Sequence, residues 1–177
     1  MQKFMVLGAV LWSMVFSSSA LAQAKSTKKV AEEKDWSVFI GTNPTECWAE
    51  SQADPKLSRV TENGRPVQAR RGEIRLYVIY SLDGKLSGQI TFTGGYPFAQ
   101  KPVEIDIDGK KFSLNKIDDE WAWAESDDDD KKILAALKKG GKATLIGLSS
   151  RGKTTTDTFS LMGLTKAVAE ARKNCSQ

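Results

Sequence analysis

The sequence contains no histidine. That removes Ser-His-Asp and Cys-His nucleophile systems and nearly all zinc sites, leaving only carboxylate, lysine or serine–lysine chemistry. Cysteine is almost as scarce, with Cys47 and Cys175 the two present. Long apolar runs are missing as well. The stretch Phe4 to Phe16 falls short of the roughly 20 residues that span a bilayer. Charge of one sign is not in excess: 26 Lys and Arg stand against 22 Asp and Glu, a formal net charge of +4. So mild a balance, with scattered lysines, argues against nucleic acid as a partner.

What the N-terminus does contain is an export pattern. Lys3 precedes the apolar stretch, and Ser17 to Ser19 lead into Ala20-Leu21-Ala22, a small-x-small cleavage form. Residues 1–22 are therefore predicted to be a signal peptide cut after Ala22, with Ala24 as the other candidate. No Cys follows either position, which argues against a lipid anchor. Residues 23–34 are polar and charged and read as a flexible leader. Residues 35–177 then form one domain, of a length that can bury a core. The processed protein is expected in the periplasm, not integral to a membrane, with outer-membrane association or secretion left open. In that compartment an even Cys pair reads as a disulfide, Cys47 to Cys175. The loop it closes is most of the domain, for which chain entropy gives roughly 5 kcal/mol as an upper figure.

From Trp36 onward the apolar period is two. Trp36, Val38 and Ile40 alternate with other residues, and Cys47 sits in the next short strand, Thr45 to Ser51. Ile74, Leu76, Val78 and Tyr80 mark the clearest strand. Asp83-Gly84 and Asp108-Gly109 are hairpin signals, the first before Ile90 and Phe92, the second joining Val103-Ile105-Ile107 to Phe112 and Leu114. Trp121 and Trp123 share one face of a further strand and are expected in the core. Strands near Ala143 to Ser149 and Thr154 to Leu161 flank Arg151-Gly152. This pattern predicts a mainly β domain, an antiparallel sandwich or barrel-like fold.

Two short helices interrupt it. Ser126 is a fitting N-cap for Asp127 to Asp130, and Gly140 stands where a terminating glycine belongs. Leu164, Val168, Ala171 and Cys175 fall on one face of a C-terminal helix. That helix should be pinned to the sheet through Cys175.

Few groups suggest chemistry. The acidic run at Asp127 to Asp130 fails the EF-hand pattern, since Lys132 and Lys138 stand where Gly and Glu are needed. It is explained by capping, so neither a metal nor a cofactor is expected. Glu120 beside Trp121 and Trp123 is the acid a glycan-cleaving enzyme would use, although an exposed neighbour of core rings is the favoured explanation. Arg65, Arg70 and Arg71 cluster weakly before the strongest strand. Gly94-Gly95-Tyr96-Pro97-Phe98 places rings in a loop, where exposure would suggest a partner and burial a loop folded back over the sheet. Tyr96, Phe98, Arg70, Arg71 and Arg151 are the candidate binding surface.

Several motifs together resemble the invasion-associated locus B family of exported alphaproteobacterial proteins. They are Phe92-Thr-Gly-Gly-Tyr-Pro-Phe98, Glu120-Trp-Ala-Trp123, Ser149-Ser-Arg-Gly152 and Thr156-Asp-Thr-Phe-Ser-Leu-Met-Gly163. The opening Trp36-Ser-Val-Phe and the terminal Cys175 fit as well. Many members carry a Cys shortly after the opening Trp, and residues 37 to 46 here contain none. The resemblance implies a β-rich, periplasmic or outer-membrane-associated protein and carries over no catalytic residues. The reading favoured is a non-catalytic envelope protein that binds a protein partner or the cell wall. The alternatives are a carboxylate-dependent enzyme acting on wall glycan and a carrier of an apolar ligand between the sheets.

Overall fold

The computed structural model describes residues 27–42 and 45–176. The expected signal peptide, both cleavage positions and the first part of the leader lie outside the described residues. Thr27–Glu33, expected to belong to a mobile leader, is instead strand β1. It pairs antiparallel with β2 (Trp36–Gly41), and Val30 and Ala31 pack on the core. Polar composition misled here because an edge strand needs only backbone partners and a little apolar surface.

Two antiparallel sheets carry the domain. The first runs β1, β2, β3 (Glu46–Gln52), β6 (Arg75–Ser81), β7 (Ser87–Thr93), β11 (Trp121–Trp123) and β10 (Lys116–Asp118) in spatial order. The second runs β5 (Arg65–Pro66), β4 (Arg59–Glu62), β13 (Thr154–Ser160), β12 (Lys142–Leu148), β8 (Val103–Ile107) and β9 (Lys110–Leu114). The alternation expected from the sequence sets which side of each strand is buried. Leu76, Val78, Ile90 and Phe92 from the first sheet meet Val103, Ile105, Leu145 and Phe159 from the second in one core. Phe92 and Phe159 meet edge to face across it, centroids 6.1 Å apart.

The tryptophan pair is where the inward–outward assignment fails. Ala122 is the buried residue of β11, so Trp121 and Trp123 point to the outer face of the first sheet. There Trp121 lies against Tyr77 at 5.8 Å, and nearby on the same face Phe39 stacks on Trp48 at 5.6 Å. A period of two shows that two residues share a face, not which face is inside.

Helix α1 (Asp127–Leu137) starts as expected, with the Ser126 hydroxyl accepting from the Asp129 N–H, and buries Ile133 and Leu137. Helix α2 (Leu164–Asn174) buries Leu164, Ala167, Val168 and Ala171. The Cys47–Cys175 disulfide ties its end to β3, with Cα atoms 5.8 Å apart. Its start is held as tightly. Gly163 has φ +95°, and a Cβ there would lie 1.9 Å from the Glu33 carbonyl oxygen, so only glycine fits. The Trp36 indole N–H donates to the Ser160 carbonyl, and the Asp35 N–H to that of Met162. No helix among the described residues is long and apolar enough to cross a membrane.

Candidate binding cavity

The segment from Phe92 to Ala99 crosses between the sheets, and its sequence explains how. The Thr93 hydroxyl accepts from the Gly95 N–H. Gly95, at φ +70°, lies so close to Gly72 that a Cβ would stand 2.6 Å from its carbonyl carbon. This close approach lets the Gly72 N–H donate to the Gly95 carbonyl at 2.8 Å. Gly94 and Gly147 leave the room in which the Tyr96 and Phe98 rings sit. On the far side of the loop the Phe98 N–H donates to Asp119, the Ala99 N–H to Leu148, and the Ser150 N–H to Pro97.

Beneath the loop lies a buried ion pair. Arg71 donates to both carboxylate oxygens of Asp157, at 2.8 and 2.6 Å, and through its Nε to the Gly94 carbonyl at 3.0 Å. The Arg71 side chain is 8 % exposed and that of Asp157 0 %. The two-pronged geometry satisfies most of what burial would otherwise leave unpaired. The Arg71 guanidinium also sits over the Tyr96 ring, 5.1 Å from its centroid. The Tyr96 hydroxyl bonds to that of Thr155. Burial pushes the Tyr96 phenol up to about 12, against the opposing pull of the Thr155 hydrogen bond and the Arg71 charge.

Above this floor opens a cavity of about 420 Å³, with Arg70, Arg71, Tyr96, Ser150, Arg151 and Lys153 among its lining residues. Four of the five residues proposed from the sequence as a binding surface contribute to it. Phe98 does not, being 4 % exposed and packed on Phe92 and Tyr96. Its aromatic loop folds back over the core, the alternative the sequence had left open. Arg71 reaches the cavity, yet its guanidinium is spent on Asp157, so the cations left to meet a ligand are those of Arg70, Arg151 and Lys153. Arg65 stands apart on β5, and Glu120 beside the β10–β11 turn does not line the cavity. Among the described residues no carboxylate lines it.

Lys153 and Asp157 were not singled out from the sequence, though one signal was present. In β13 the period of two places Asp157 on the buried face with Thr155 and Phe159. A fully buried acid calls for a partner, and here Arg71 supplies it. Among the described residues no three Cys, Asp or Glu side chains gather as a metal-holding set.

Tyr96, Phe98, Ser149, Arg151 and Asp157 fall within the motifs of the family resemblance. Residues 97–172 match the family model of the invasion associated locus B (IalB) protein. Over that stretch the chain is similar to the IalB family. It covers the β11 tryptophans, the Ser149–Gly152 turn and the Asp157–Gly163 stretch, while Arg70, Arg71 and Tyr96 precede it. No curated protein and no solved structure matches the chain. Seen in place, most motif residues of the IalB resemblance serve the fold. Phe159 and Leu161 fill the core, Gly163 starts α2, Asp157 anchors Arg71, and the Ser149 hydroxyl accepts from the Lys153 N–H to shape the turn.

Proposed function

We propose that the protein is a non-catalytic cell-envelope protein of the IalB kind, exported through its N-terminal segment. In this reading it binds an acidic feature of a protein partner or of the cell wall through the Arg70–Arg151–Lys153 cavity. The observation that carries the reading is a recess lined, among the described residues, by four cationic side chains and no carboxylate, one of the four already neutralised by Asp157. The remaining positive charge favours an anionic occupant. The polar groups of the floor are already engaged: the Tyr96 hydroxyl with Thr155, the Ser149 hydroxyl with the turn, Arg71 with Asp157. Groups so engaged shape the recess rather than activate a ligand, which supports binding over turnover. The disulfide and the family suit an oxidising compartment.

Co-sedimentation of the purified protein with isolated envelope material, across a salt series, tests this. The wild type is expected to be retained. Arg70→Glu with Arg151→Glu should release it without changing the melting temperature, because both side chains are exposed. Equal retention of that variant would place the binding surface elsewhere.

A further inference from the structure

The cavity has a neighbour. A second recess, of about 560 Å³, lies against the same short segment, and Val60, Gln68, Ala69 and Arg71 line both. Its cationic lining residues are Arg59 and Arg71, and again no carboxylate among the described residues lines it. The segment between them is a strap from the edge of the second sheet to β6 of the first. It is fastened at its two ends. The Val67 N–H donates to Val60, continuing the β4–β5 pairing, and the Gly72 N–H donates to Gly95. Between those points Gln68, Ala69 and Arg70 are exposed. The backbone N–H and C=O groups of Gln68, Ala69, Arg70 and Arg71 make no hydrogen bond among the described residues.

A row of unpaired backbone donors and acceptors, carried from Gln68 to Arg70 by exposed residues and lying beside a sheet edge, is a template for another chain. Extended peptides use such templates, with main-chain hydrogen bonds supplying affinity and flanking side chains supplying selectivity. Here the flanking side chains are cationic on both sides of the strap. We propose that the ligand of the basic cavity is an extended acidic stretch of polypeptide. It lies across Gln68–Arg71, pairs its backbone with the strap, and sets its carboxylates on Arg70, Arg151 and Lys153 on one side and Arg59 on the other. This assignment rests on the cavity reading above and narrows it to a protein partner. A small anion would use one recess and leave the strap's backbone to water. A polyanion without peptide groups would meet the charge but not the donors and acceptors.

The test is titration of the purified protein with three probes. They are a short labelled peptide repeating Glu-Glu-Val-Val, which sets carboxylates on both faces of an extended strand, the same peptide N-methylated at alternate backbone positions, and polyphosphate of matched charge. The unmodified peptide is expected to bind best, and N-methylation should weaken it by about tenfold or more through several lost backbone hydrogen bonds. Arg70→Glu with Arg151→Glu should abolish binding while the melting temperature holds. If the N-methylated peptide or polyphosphate binds as tightly as the peptide, and charge reversal releases it, the polypeptide assignment is overturned and the basic cavity stands. Should charge reversal leave peptide binding unchanged, the cavity reading falls and takes this inference with it.

Discussion

The chain closes over its core in two places by different means. At α2 the closure is apolar and covalent: four buried helix residues, a glycine start with no room for a Cβ, and the Cys47–Cys175 bond to β3. At the Phe92–Ala99 loop it is polar, built on one buried ion pair, a ring laid under a guanidinium, and hydrogen bonds between backbone segments. The first closure seals its region. The second leaves recesses on both sides of the strap, with cations at their rim. An apolar seal has no group left over for a ligand, whereas a polar one can hold the fold with Arg71 and present Arg70, the very next residue, to solvent.

The comparison can be broken most sharply at the ion pair. Asp157→Ala should cost about 3–5 kcal/mol, because Arg71 would be left buried without its counter-charge. Chemical denaturation of the variant checks this. A loss below that of an ordinary surface substitution would mean that the polar closure is held mainly by its backbone bonds. At the covalent closure, Cys47→Ser with Cys175→Ser should cost about 2–5 kcal/mol, read as a lowered melting temperature under non-reducing conditions. If the double variant melts like the wild type, the apolar face of α2 suffices by itself.

The smallest effect sharpens the contrast between two buried carboxylates. Asp157 has an arginine, whereas Asp130 in α1 is 7 % exposed and has the Ile90 backbone N–H as its partner. Burial raises the Asp130 carboxyl to about 6 from an ordinary 3.8; the Ile90 bond and Lys116 oppose the rise, and Asp127 and Asp129 add to it. Between about pH 4 and pH 6 the folded protein therefore keeps a proton that the unfolded chain has lost. Stability contributed at this site falls as pH rises through that window. Asp130→Asn, which can still accept from Ile90, should gain on the wild type from pH 4 to pH 7 in paired melting curves. A constant difference across that range would show that Asp130 titrates as an ordinary carboxyl.

Much of the scaffold is legible in the amino-acid sequence. The strands around Leu76 and Val103, the Asp108-Gly109 hairpin, the Ser126 cap and the face of α2 all rest on signals a few residues long, and the disulfide on there being two Cys in an exported sequence. The cavity is half legible. Arg70, Arg71, Tyr96 and Arg151 stand out as candidates, yet their convergence does not, since they come from three separate segments of the chain. Strand β1 escapes notice because its partners are backbone groups of β2, which composition does not register.

Local sequence thus determined the elements and their periodicity, together with an unlike-charged pair and a cysteine pair available for bonding. Propensity, capping and alternation act between near neighbours, and they read out directly. Tertiary structure alone decided which face of β11 is inside, which of two adjacent arginines is buried, and that two recesses share one strap. These are outcomes of non-local packing. Arg71 and Asp157 stand 86 residues apart in sequence, and only the folded sheets bring their charges into hydrogen-bonding contact.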